Sequence, residues 1–173
     1  TILGEQPATL LVVDDMIENI EILNAMLSDD YRILFATNGQ DAIDVAQKQT
    51  PDLILLDVVM PQMNGHEVCA RLKQNPITQE IPIIFVTSKD QEEDEEIGLQ
   101  LGAVDYLTKP VIDDELNFSI QRALGQRKIV QENKNLKARL DEKFGMSNII
   151  GRDYRMTKMF DLIESVADTK TTA

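Results

Sequence analysis

The sequence predicts an α/β domain: a doubly wound parallel sheet of five strands with helices on both faces, extended by a long C-terminal helix. Three observations predict it. Short apolar runs recur five times, and each is followed by a segment with helical spacing. The runs are brief and do not alternate with polar residues, so they read as strands buried on both faces. Strand and helix alternate throughout, which gives a parallel sheet joined by crossover helices.

The first run, "LLVV" at 10–13, leads into a helical pattern over 17–28. The second, "RILFA" at 32–36, precedes a helix over 39–48, and Gly39 marks the turn between them. The third, "LILL" at 53–56, follows Pro51 and leads to a helix over 65–74 that opens at Gly65. The fourth, "IPIIFVT" at 81–87, contains Pro82 at its start and precedes a helix over 91–101. The fifth, "AVDYLT" at 103–108, feeds a helix that begins near residue 113. These elements place one domain at residues 9–124. No internal repeat is evident.

Near Gly125 the pattern changes. "QRKIVQENKNLKARLDEKF" is polar and continues the fifth helix with no break signal after Gly125 itself. Ile129, Asn133, Leu136 and Leu140 follow the 4-3-4 spacing of a coiled-coil seam, with Asn133 at a position where a buried amide fixes register and favours two strands. Residues 125–144 are therefore a helical linker expected to pair two chains; the plainer alternative is a solvated helix packed on its own domain. Residues 145–173 carry a helical stripe of Met156, Met159, Phe160 and Ile163, too few residues for a separate core. They read as a packing appendage or the truncated opening of a further domain.

The 173 residues are 43% hydrophobic, enough for a core, and the net charge is −13. That charge argues against nucleic-acid binding by this chain, since little here would neutralise phosphates. One cysteine, Cys69, excludes an intramolecular disulfide and reads as a small core or surface residue. No apolar run approaches the roughly 18 residues of a membrane span. "TILGEQPATL" lacks the layout of a secretory signal, so the cytoplasm is the expected location and no membrane partner is expected.

In parallel α/β sheets, ligands bind beyond the carboxyl ends of the strands. Strand one ends in Asp14 and Asp15, strand three in Asp57, strand four in Thr87 and Ser88, and strand five is followed by Lys109 and Pro110. Three carboxylates, a hydroxyl and an ammonium thus converge on one edge. Crowded carboxylates need a cation, and hard oxygen donors suit Mg²⁺. A carboxylate beside such an ion can attack phosphorus, with Asp57 as nucleophile. Lys109 would neutralise the charge that develops on the transferring group, and Thr87 would donate its hydroxyl to it.

The motifs "VVDD" (12–15), "LLDVVMPQMNG" (55–65), "FVTS" (85–88) and "DYLTKP" (105–110) resemble the receiver domain of two-component response regulators, over residues 9–124. The resemblance implies the flavodoxin-like, CheY-like fold with strand order 2-1-3-4-5. It implies that Asp57 accepts a phosphoryl group from a phosphohistidine on a sensor histidine kinase. It implies that Asp14, Asp15, Asp57 and the backbone carbonyl of Val59 hold Mg²⁺, that Thr87 and Tyr106 form a switch pair, and that Lys109 binds the phosphoryl group ahead of a cis Pro110. Less specifically, the linker and "NIIGRDYRMTKMFDLIESVADTKTT" resemble the start of NtrC-type, sigma-54-dependent transcriptional activators. That resemblance implies an AAA+ output domain beginning at 145–173. No GxxxxGK[ST] occurs, so ATPase activity is not expected of this chain.

A competing reading is an aspartyl-nucleophile phosphohydrolase. Enzymes of the haloacid-dehalogenase type want a second Asp two residues after the nucleophile, and here Val59 stands there. An idle interaction module is disfavoured by the full acidic set. His66, the sole histidine, reads as a surface residue at a helix start. The "QEEDEE" run (91–96) reads as the solvated first turns of a helix, with a partner-binding acidic patch as the alternative. Homodimerisation is expected through the linker and through the face of the fourth helix, fifth strand and fifth helix near Tyr106.

Overall fold

A computed structural model describes residues 6–88 and 92–144. Contacts divide the chain into two units, 1–128 and 129–173. The first contains strands β1 (Thr9–Val13), β2 (Arg32–Ala36), β3 (Leu53–Leu56), β4 (Ile83–Thr87) and β5 (Asp105–Thr108). Between them run helices α1 (Ile17–Leu27), α2 (Gly39–Gln49), α3 (Gly65–Gln74) and α4 (Glu92–Gln100), and α5 (Asp113–Phe144) follows the last strand. All pairings are parallel and the order is β2-β1-β3-β4-β5, as the resemblance implied. The described part of the second unit is the C-terminal portion of α5.

The strands sort their side chains by period two. Leu11, Val13, Ile54, Leu56, Ile83 and Phe85 face Ala42, Ile43 and Ala46 of α2 and Val68, Cys69 and Leu72 of α3. The alternate residues Leu10, Val12, Leu53, Leu55, Ile84 and Val86 face Ile20, Leu23 and Leu27 of α1 and Leu116, Ile120 and Ala123 of α5. Each of these large side chains stabilises the fold by about 1.5–3 kcal/mol when fully buried. Cys69 is buried in the first of the two cores.

The expectation that every strand is buried on both faces holds for β1, β3 and β4 and fails at the edges. On β2, Arg32 and Phe35 are exposed, and on β5 only Leu107 is fully buried. An edge strand has a neighbour on one side alone, so more of it stays open to solvent. The fourth and fifth strands also start two residues later than the apolar runs.

The helix ends follow local chemistry. Asn38 caps α2 by accepting from the Asp41 amide, and Asn64 with Glu67 forms a reciprocal capping box on α3. Asp113, Asp114 and Glu115 lie in the first turn of α5, where the helix dipole favours negative charge. At the acidic run, α4 begins at Glu92, and Glu95 and Glu96 are exposed; Gln91 lies outside the described residues. Helix α5 passes through Gly125 without interruption. Ile129, Asn133, Leu136 and Leu140 all lie on it and are all exposed. The stripe of Met156, Met159, Phe160 and Ile163, and all of 145–173, lies outside the described residues. Among the described residues, no helix is long and apolar enough to cross a membrane.

Candidate functional site

Three candidate residues sit one step beyond the paired ends of their strands, and the sheet's own hydrogen bonds hold them there. The Asp14 amide donates to the Ala36 carbonyl at 3.2 Å, the Asp57 amide to Val13 at 2.9 Å and the Lys109 amide to Thr87 at 2.7 Å. The backbone under the site is therefore as fixed as the ladder. Asp14, Asp15 and Asp57 each offer a carboxylate oxygen, and these lie within 4.8 Å of one another. Period two separates the adjacent pair: Asp14 is buried and Asp15 is exposed.

Lys109 Nζ lies 2.6 Å from Asp14 Oδ2 and 3.5 Å from Asp57 Oδ2. The Asp14 carboxylate also accepts from the Met16 amide at 2.9 Å and from Asn19 Nδ2, at 3.0 Å to Oδ1 and 3.1 Å to Oδ2. Asp57 is less well supplied, with the Val59 amide 3.4 Å from Oδ1. Burial pushes Asp57 up to about 6; the Lys109 ammonium opposes the rise, the Asp14 charge adds to it, the Val59 amide opposes it and the Asp15 charge adds a little.

Gly65 opens α3 against the back of this site. Its amide donates to the Val58 carbonyl at 2.8 Å. A Cβ there would overlap the Asp57 carbonyl oxygen, so no other residue lets the helix start this close. The Lys109–Pro110 peptide bond is cis, as the resemblance implied.

Thr87 is fully buried at the end of β4, two residues beyond Phe85 and so on the same sheet face. Tyr106 is half-buried beside Phe85 in register, with ring centroids 6.1 Å apart. His66, expected at the surface, is half-buried with its ring edge-on to Phe85 at 5.2 Å. Phe85 thus stands between an α3 residue and Tyr106, and Gly98 of α4 closes over it.

The structure brings Asp14, Asp15, Asp57 and Lys109 into one cluster, with Thr87 bonded through its backbone carbonyl to Lys109. Val59, nearly half exposed, follows Asp57 by two residues. Sequence reasoning missed Asn19. Its one signal is an amide side chain in the first turn of α1, five residues after Asp14, where a residue that favours caps stands inside a helix. It also missed Arg127, which donates to the Pro51 carbonyl at 3.0 Å and to Asp52 at 3.2 Å at the far end of the sheet.

The donor set suits a hard divalent cation. Three carboxylates face one ammonium, an excess of negative charge that a divalent ion offsets, and the ligand atoms are all oxygens. 

The family model for the response regulator receiver domain matches residues 10–121. A Vibrio cholerae serotype O1 protein named probable cyclic di-GMP phosphodiesterase is 48% identical over 103 residues, which are 60% of this chain and 23% of that protein. The chain thus spans about a quarter of that relative's length. PilH of Pseudomonas aeruginosa is 42% identical over 118 residues, 68% of this chain and 98% of PilH. Among solved structures, the receiver domain of sensor histidine kinase PA1611 from Pseudomonas aeruginosa PAO1 superposes with a TM-score of 0.65 at 31% identity, covering 69% of this chain and 99% of that one. That structure has a magnesium ion coordinated in its active-site cleft.

Proposed function

The chain belongs to the response regulator receiver family, and from that premise we propose that Asp57 accepts a phosphoryl group from a phosphohistidine on a sensor histidine kinase. The observation that carries this reading is the placement of Lys109 between Asp14 and Asp57, beside three carboxylates that share a few ångströms. An Asp57 oxygen attacks phosphorus as the phosphorus–nitrogen bond to the donor imidazole breaks, leaving an acyl phosphate on Asp57. Lys109, already 3.5 Å from Asp57, pairs with the phosphoryl oxygens. Thr87 offers its hydroxyl to the same group.

Asp14, Asp15, Asp57 and the Val59 carbonyl are the proposed Mg²⁺ ligands. When bound, the ion supplies charge neutralisation on the transferring oxygens. The magnesium in the PA1611 receiver supports the assignment. Movement of Thr87 toward the new phosphoryl group changes the packing beside Phe85 and Tyr106, which is how the proposed switch reaches the face of α4, β5 and α5.

The linker 125–144 is proposed to pair two copies through Ile129, Asn133, Leu136 and Leu140, aided by the α4–β5–α5 face. The exposure of these residues along α5 supports that role. We assign the chain to the cytoplasm, with no nucleic acid bound by its own residues. For the output, the resemblance of 145–173 to sigma-54-dependent activators supports transcription activation. A cyclic di-GMP output is the second reading, favoured by the name of the Vibrio cholerae relative. A sigma-54 reporter and a cyclic di-GMP assay in cells carrying the gene that encodes this chain separate the two.

Beryllofluoride, a phosphoryl mimic, tests the site directly. With Mg²⁺ it raises the melting temperature of the wild-type chain and leaves Asp57→Asn unmoved. Equal stabilisation of both places the acceptor elsewhere.

A further inference from the structure

The donors around Asp14 carry a role that sequence reasoning did not assign. A carboxylate has about four lone-pair positions. Here three donor atoms surround it: Met16 N on Oδ1, Lys109 Nζ on Oδ2, and Asn19 Nδ2 shared between both oxygens. Facing an acceptor-only carboxylate, the Asn19 amide must present its nitrogen. A cation that comes to Asp14 therefore enters a crowded shell, and the most mobile donor gives way to it.

The three donors differ in freedom. The Met16 amide belongs to the backbone where α1 begins. Asn19 is a short side chain on the first turn of α1. Lys109 is long, and its ammonium already lies 3.5 Å from its second partner, Asp57. Lys109 is the donor that moves. Asn19 and Lys109 also line one cleft with Pro110, so the exchange happens between neighbours.

We propose that Asn19 is a positioning residue for phosphoryl transfer: it holds the Asp14 carboxylate in place for the metal ion while Lys109 leaves it for the phosphoryl group. The inference rests on the receiver reading above. Without Asn19, Oδ2 of Asp14 keeps only the lysine, and the carboxylate follows that side chain as it swings. Hydrogen-bonding partners behind metal ligands typically change metal affinity by 10- to 100-fold when removed.

The test measures Mg²⁺ affinity by titration calorimetry on the whole chain. Asn19→Ala is expected to bind Mg²⁺ about tenfold more weakly, as is Asn19→Leu, which keeps the branched shape and removes the donor. Both should fold, because Ala and Leu favour helix interiors over Asn. An Asp14→Asn background separates positioning from general structure. If Asn19 acts through Asp14, adding Asn19→Ala to Asp14→Asn weakens binding no further. Unchanged affinity in both single variants, or the same loss in both backgrounds, overturns the inference. Wild-type Mg²⁺ binding that does not depend on Asp57 overturns the receiver reading, and the inference with it. Binding that depends on Asp57 but not on Asn19 overturns the inference alone.

Discussion

Lys109 Nζ sits 2.6 Å from Asp14 Oδ2, a contact that joins residues 95 apart in sequence and ties the end of β5 to the end of β1. The lysine answers to two carboxylates at once, near Asp14 and at 3.5 Å from Asp57. Its replacement by Met leaves three carboxylates with no ammonium among them. Removing one partner of a fully buried pair costs about 3–5 kcal/mol. Lys109 is partly exposed, so we expect Lys109→Met to lose about 2 kcal/mol in chelator. Mg²⁺ restores part of that loss. Urea unfolding with and without the ion measures both.

The raised pKa of Asp57 has a definite sign. Burial lifts it from 3.8 to about 6, so the folded chain holds this proton more tightly than the unfolded one. Its contribution to stability is fully present below the unfolded value and is lost as pH rises through about 6. Asp57→Asn removes that loss. In chelator at neutral pH the variant should exceed wild type in stability by on the order of 1–2 kcal/mol, and the difference should shrink toward pH 4. Denaturant titrations of both proteins across this range check it.

Two glycines on helices should respond in opposite directions to alanine. At Gly65 the added methyl meets the Asp57 backbone, so Gly65→Ala should destabilise the fold by about 2 kcal/mol and weaken Mg²⁺ binding. At Gly125 nothing lies within 4 Å of the added methyl. Gly125→Ala should stabilise by about 1 kcal/mol through helix propensity alone. Melting temperatures separate the two.

The proposed seam is tested by replacing Leu136 and Leu140 together with Lys. Sedimentation of the variant at micromolar concentration should show monomers, with labelling of Asp57 intact. A variant that still sediments as a dimer assigns association to another surface.

Much of this was legible in the sequence. The central strands are largely apolar and end in the residues that matter, so Asp14, Asp57 and Thr87 are found by where those strands stop, and Lys109 by the same rule after the last strand. The edge strands were not legible: "RILFA" and "LILL" look alike, and only the sheet order says which has an uncovered side. Asp14 and Asp15 are chemically identical neighbours, and the pleat alone buries one and exposes the other. His66 was misread because its partner, Phe85, is a long-range contact with no local spacing rule. Asn19 was missed although its partner is local. Its meaning depends on where a carboxylate five residues away points, which helix periodicity does not encode.

The central claim is that Asp57 is the phosphoryl acceptor. The direct measurement incubates the chain with acetyl phosphate and Mg²⁺, traps the acyl phosphate by borohydride reduction and maps it by peptide mass spectrometry. The account predicts one modified position, Asp57, and no labelling of Asp57→Asn. Full labelling of that variant, or modification mapped to Asp14 or Asp15, contradicts it.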